Sequence, residues 1–134
     1  MDWKLELVVV PVSDVDRAKL FYSEQVGFAV DHDTRISDES RVVQLTPPGS
    51  GCSIAIGVGI ADAPPGSVQG MQLVVSDVDA ARAELVDRGV EVSPVQHFDE
   101  SGRVDGRGGD WNSFVFFSDP DGNGWAVQEH PARD

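Results

Sequence analysis

His97 is the side chain best placed by type and context to move a proton. It lies on an expected strand just before a long loop, beside Phe98, Asp99 and Glu100. A neutral imidazole near a carboxylate can serve as a general base near neutral pH. The competing reading is a histidine on an edge strand with no chemical task. His32, inside Asp31-His32-Asp33, and His130, near the C-terminus, stand in polar surroundings and read as solvated. Trp111 closes a glycine-rich stretch running from Phe98 to Asp110. An indole there could stack on a planar or cationic group, or simply anchor the loop on a sheet. Cys52 has no lysine or histidine neighbour to draw out its thiolate and reads as a small buried hydrophobe. No phosphate-binding Gly-Lys-Ser/Thr loop, dinucleotide fingerprint or Gly-x-Ser-x-Gly elbow is present.

Composition narrows the classes further. The 134 residues suit one compact domain or two small intertwined modules. With 40% hydrophobic and 25% charged residues, a folded globular chain is expected. The net charge of −13 repels phosphate backbones and anionic lipids, so neither nucleic acid nor membrane is an expected partner; a cationic small molecule would be attracted. No apolar stretch approaches the ~20 residues that span a bilayer. A single cysteine precludes an internal disulfide, and no charged-then-apolar leader is visible, so a cytoplasmic setting is expected.

The elements that would position these residues come as a repeat. Leu7 to Ala18, ending near Val26-Gly27-Phe28, matches Gly70 to Ala81, ending near Arg88-Gly89-Val90, in order and in spacing apart from a single deletion. Leu7–Val12 is rich in β-branched residues and reads as a buried strand. Ser13 and Ser76 read as helix N-caps, each followed by aspartates that complement the helix dipole. Val15, Ala18, Phe21 and Tyr22, and then Val78, Ala81 and Leu85, recur at helical spacing. Gly27 and Gly89 are expected as left-handed C-caps. Strands are expected at 41–46 and 52–58 in the first copy, and at 89–97, 113–118 and 124–130 in the second. The copies occupy residues 1–60 and 67–134, with 61–66 as linker and 98–110 as a loop.

A duplicated β-α-β-β-β unit resembles the vicinal-oxygen-chelate superfamily of glyoxalases, bleomycin-resistance proteins and extradiol dioxygenases. Val12-Ser13-Asp14-Val15-Asp16-Arg17-Ala18-Lys19-Leu20-Phe21-Tyr22 is similar to its first strand-to-helix signature. Ser118-Asp119-Pro120-Asp121-Gly122-Asn123 is similar to its last turn. The resemblance implies an α+β fold of two tandem βαβββ modules whose curved mixed sheets enclose a cavity, and pairing as a homodimer.

Many enzymes of that superfamily hold a divalent metal through His, Gln or Glu on the first and last strands of each module. The matching positions here are Leu7, Ser53, Gly70 and Ala126. None is a plausible ligand for Zn²⁺, Fe²⁺ or Mn²⁺. Gln72 would share a face with Gly70 but makes a poor site alone, so neither a metal nor any other cofactor is expected. If those positions face the cavity, strand parity places Leu7, Val9, Ser53, Gly70, Gln72, Val74, Ala126 and Gln128 on its lining, with Phe98 and Trp111 at its border. Such a lining, apolar with a few amides and a hydroxyl, suits a small planar organic molecule.

Three readings of function stay open. The first is a bleomycin-resistance-like protein that binds such a molecule without chemistry and without the usual metal. The second is a metal-independent isomerase or lyase using His97. The third is a metal-dependent dioxygenase or glyoxalase with displaced ligands.

Overall fold

The computed structural model describes residues 1–132. The chain is α+β and forms two compact units, each with its own mixed sheet. The first unit comprises Met1–Val68 with the distant turn Asp119–Asn123; the second comprises Gln69–Ser118 and the chain from Gly124 on.

In the first unit β1 (Leu7–Val9) leads to α1 (Val15–Leu20), which continues as a wider π-helical segment over Phe21–Val26. Then follow β2 (Ala29–Ser37), β3 (Ser40–Thr46) and β4 (Ser53–Val58), in the spatial order β1-β4-β3-β2. β1 runs parallel to β4, and the remaining pairs are antiparallel. Alternation along β3 is strict: Arg41, Val43 and Leu45 are buried while their neighbours are half-exposed. One face of the sheet is therefore closed by a core that includes Val10, Ala18, Tyr22, Ile54 and Ile56.

Arg41 is the charged member of that closed face. Its guanidinium donates to Asp33 at 2.9 and 2.7 Å and to Asp16 at 2.9 Å. Asp33 also accepts from Lys19 at 2.9 Å. These donors hold the Asp33 carboxyl far below the usual carboxylate range, the hydrogen bond to Arg41 being the largest cause.

The turn Asp119–Asn123 is tied into this unit by polar contacts. The Tyr22 hydroxyl donates to Asp119 at 2.7 Å, Asn123 donates to the Pro11 carbonyl at 2.8 Å, and the Ser13 hydroxyl donates to Asp121 at 2.5 Å. Tyr22, Asp119 and Asn123 are buried, so the first two bonds satisfy groups that would otherwise be costly to desolvate, while the Ser13 bond lies at the surface.

The second unit repeats the plan with one addition. β5 (Met71–Val75) leads to α2 (Val78–Asp87), then β6 (Gln96–Asp99), β7 (Gly102–Asp105), β8 (Phe114–Ser118) and β9 (Gly124–Glu129). The order is β5-β9-β8-β6-β7, with β5 parallel to β9. Val115, Phe117, Trp125 and Val127 close one face, and the Phe117 and Trp125 rings lie parallel with centroids 6.0 Å apart.

Three local expectations need correction. The helix N-caps are Asp14 and Asp77, whose carboxylates accept from the Arg17 and Ala80 amides at 3.0 Å. A cap of this kind is worth about 1 kcal/mol. Ser13 is left free to bond Asp121 because the chain is already extended at the following aspartate. The strand expected at 89–97 begins only at Gln96, after the Pro94 ring has removed a ladder donor. The stretch read as a loop from Phe98 contains the β6–β7 hairpin, turned at Glu100-Ser101, where Asp99 accepts from the Ser101 amide and hydroxyl and Gly102 takes φ +109°. Gly27 and Gly89 do adopt the left-handed conformation at the helix ends.

Candidate functional site

Each sheet has one closed face and one open face, and the residues expected to bind a ligand lie on the open faces or at their border. In the second unit, cross-strand pairing sets out one row: Val74 on β5, Gln128 on β9, Phe114 on β8 and Gln96 on β6. A second row holds Gln72, Ala126 and Phe116. The Phe98 ring meets Phe114 edge-on at 5.4 Å and Phe116 at 6.2 Å, and Phe114 and Phe116 stack at 5.9 Å. The Arg103 guanidinium lies over Phe116, 4.2 Å from its ring centre. Among the described residues Arg103 has no carboxylate partner. Phe98 and Val74 are about half exposed, at 47% and 56%. This face is an aromatic floor carrying a cation available to a ligand.

The loop from Gly106 to Ser113 borders the floor and is tied down at several points. Arg107 bridges Asp79 (2.7 Å) and Glu129. Glu129 also accepts from the Val78 amide at the start of α2, which is the main cause holding its carboxyl below the usual range. Asn112 pairs with both the amide and the carbonyl of Phe98 at 2.9 Å. Gly108 packs so closely against Asn112 and His97 that a Cβ there would meet the Asn112 carbonyl at 2.2 Å. The result is that Trp111 is held at φ +63°, a conformation that disfavours any side chain, with its ring half exposed. An amide relay reaches it from the sheet: Gln72 donates to Gln128 at 2.9 Å, and Gln128 donates to the Trp111 carbonyl at 2.8 Å.

In the first unit the open face combines apolar side chains with a polar patch. Leu7 pairs with Ser53 and Val9 with Ala55, and Gln44 lies opposite Ala55. Ser53, though 94% buried by its neighbours (6% exposed), contacts the Thr46 hydroxyl at 2.6 Å and the Gln44 amide at 3.3 Å. Thr46 and Gln44 both reach Asp31 on β2.

The structure thus gathers Gln72, Val74, Phe98, Trp111, Ala126 and Gln128 in one unit, and Leu7, Val9 and Ser53 in the other. Gly70 precedes β5 with φ +84° and contributes backbone only. His97 stands apart from the floor. Alternation along β6 turns it away from Gln96 and Phe98, and its Nδ1 lies 2.8 Å from the Gly106 carbonyl. A carbonyl only accepts, so Nδ1 carries the hydrogen there. Sequence reasoning missed Arg103 and Asp31. Arg103 fell in the supposed loop, where the alternation of Gly102 and Val104 with Arg103 and Asp105 was the available signal. A separate, partly open cavity of about 240 Å³ in the first unit is lined by Val10, Val12, Val15, Val58 and Ile60 among others, and contains none of these residues.

The glyoxalase/bleomycin resistance protein/dioxygenase superfamily pattern matches residues 4–127. The chain belongs to that superfamily. Among solved structures it is similar to TnmS3, an antibiotic binding protein from Streptomyces sp. CB03234, with 35% identity and a TM-score of 0.78 over 96% of this chain and 97% of that one. A glyoxalase/bleomycin resistance protein from the same organism matches at 35% identity and TM-score 0.74, over 94% of this chain and 100% of that one. A superfamily member from Sphaerobacter thermophilus DSM 20745 matches at 27% identity and TM-score 0.75, over 96% and 98%. No curated protein sequence matches.

The side chains at the four positions that match the superfamily's metal ligands do not fit a divalent metal. Leu7, Gly70 and Ala126 carry no donor atom in their side chains, and the Ser53 hydroxyl is committed to Thr46 and Gln44. Among the described residues no three His, Cys, Asp or Glu side chains converge, and no helix is long and apolar enough to cross a membrane.

Proposed function

We propose that this superfamily member is a binding protein for a small planar organic molecule, held without metal and released unchanged. The observation that carries the reading is the floor of exposed Phe98 and half-buried Phe114 and Phe116, with the Arg103 guanidinium over Phe116. A flat ring system stacks on such a floor, and a carboxylate, phenolate or carbonyl oxygen on its rim takes the guanidinium hydrogens. Trp111 and the Gln72–Gln128 relay border the same surface and would orient the ligand edge. The similarity to an antibiotic binding protein supports a ligand of drug-like size. His97 serves in this reading as a positioning residue for the Trp111 loop through Gly106, rather than as a base. The chain pairs as a homodimer that covers these open faces.

Equilibrium dialysis of naphthoate against chelator-treated protein, with the mass set by sedimentation, tests this. The expected result is saturable binding, probe recovered unchanged, and a species of twice the 14.4 kDa chain mass. Binding lost on chelation, or conversion of the ligand, overturns the metal-free binding role. A species of 14.4 kDa alone overturns the pairing.

A further inference from the structure

The polar patch on the first sheet has a hydrogen-bond arithmetic that selects its ligand. Four side chains form a closed ring: Ser53 to Thr46 at 2.6 Å, Thr46 to Asp31, Asp31 to Gln44 at 3.3 Å, and Gln44 to Ser53 at 3.3 Å. A carboxylate only accepts, so the Thr46 hydroxyl hydrogen points to Asp31 and the group Gln44 turns toward it is its NH₂. Thr46 has a single hydrogen, so Ser53 must be the donor in the Ser53–Thr46 bond. Gln44 spends its two hydrogens on Asp31 and Ser53. Every donor in the ring is therefore committed. Asp31 Oδ1 and Gln44 Oε1 have no hydrogen-bond partner among the described residues, and Asp31 forms no ion pair among them.

We propose that this ring is a subsite for a primary ammonium group. It offers an exposed carboxylate and a neighbouring amide oxygen, each with an unpartnered acceptor atom, and no free hydrogen with which to receive an anion. An ammonium supplies three hydrogens and a positive charge to those two acceptors. The ring is braced from below, since Ser53 is buried and paired in register with Leu7 while Gln44 is paired with Ala55. His32, opposite Gln44 on β2, has its Nδ1 turned to Thr34 at 3.2 Å and does not occupy the acceptors. The overall charge of −13 draws cations toward the protein, and the ring gives one of them a fixed geometry.

This inference rests on the reading of the open faces as ligand surfaces, and its test is independent of the aromatic floor. Cyclohexylammonium, cyclohexanol and cyclohexanecarboxylate are titrated into isotope-labelled protein while backbone amide signals are followed. Cyclohexylammonium is expected to shift Asp31, Gln44, Thr46 and Ser53 with saturation, and the other two probes are not. The Asp31→Asn variant keeps an oxygen for Thr46, and it should bind cyclohexylammonium about tenfold more weakly, as loss of a charge-assisted bond implies. Retention of its native thermal transition excludes unfolding as the cause; Gln44→Leu, which removes the second acceptor, gives an independent loss if Asp31→Asn does not fold. Equal shifts from the carboxylate probe, undiminished binding in both variants, or cation shifts scattered over the acidic surface would overturn the proposal. Naphthoate binding at the second sheet is scored on the same samples. If it survives while ammonium binding is absent, this inference fails alone; if both are absent, the binding role itself fails.

Discussion

The two open faces differ in kind although their strands are laid out alike. On the first sheet, positions on the open side carry Ser53, Thr46, Gln44 and Asp31, whose hydrogens are consumed internally and whose free atoms are acceptors. On the second, the corresponding side carries Phe98, Phe114 and Phe116, with the Arg103 guanidinium over the Phe116 ring. The closed faces differ in the opposite sense. The first is anchored by a buried arginine and its carboxylates, the second by a parallel pair of aromatic rings. A duplicated backbone has thus been given one acceptor-bearing surface and one aromatic, donor-bearing surface.

The largest effect is expected where the first sheet is braced. Asp33→Ala removes the main partner of Arg41, which is only 7% exposed, and leaves Asp16 to hold it from a largely exposed position. Breaking a fully buried pair costs about 3–5 kcal/mol; here Arg41 is buried but Asp33 is partly exposed and the Asp16 contact remains, so the expected loss in chemical denaturation is about 2 kcal/mol. The sign with pH follows from the depressed Asp33 carboxyl. Its stabilisation is complete above the unfolded carboxylate value of about 3.9, and it is lost as the pH falls from there toward the lower folded value. A flat stability profile between neutral and strongly acidic pH would break the claim that the first sheet depends on this charge cluster.

A smaller effect, of opposite sign, is expected at the border of the second sheet. Trp111 is the one non-glycine residue with positive φ among those described. Such a conformation costs about 1 kcal/mol or more, so Trp111→Gly should leave thermal stability unchanged or raised while weakening naphthoate binding. Parallel losses of stability and binding would make Trp111 a loop anchor instead.

Much of this was legible in the chain. The internal repeat carries the α+β plan, and strand parity places Gln72 and Ala126, and Leu7 and Ser53, on shared faces, consistent with their cross-strand pairing. The helix-end glycines were readable because only a left-handed cap explains a glycine at both matching places. What stayed hidden depended on partners distant in sequence. Ser13 looked like a cap because its partner, Asp121, lies at the far end of the chain. The β6–β7 hairpin was masked by glycines that also suit a loop, and with it went Arg103. His97 looked chemical in sequence, yet its face depends on where β6 begins, and Pro94 delays that start. The acceptor ring could not be read at all, because Asp31, Gln44, Thr46 and Ser53 meet only through the pairing of three strands.

The most direct test of the two-surface account is a residue-by-residue map of naphthoate binding on labelled protein. Saturable shifts are expected at Phe98, Arg103, Phe114 and Phe116, reduced in Arg103→Met, with Asp31, Thr46 and Ser53 unmoved. Shifts centred on the Asp31 ring, or binding that ignores the loss of Arg103, would contradict the two-surface account.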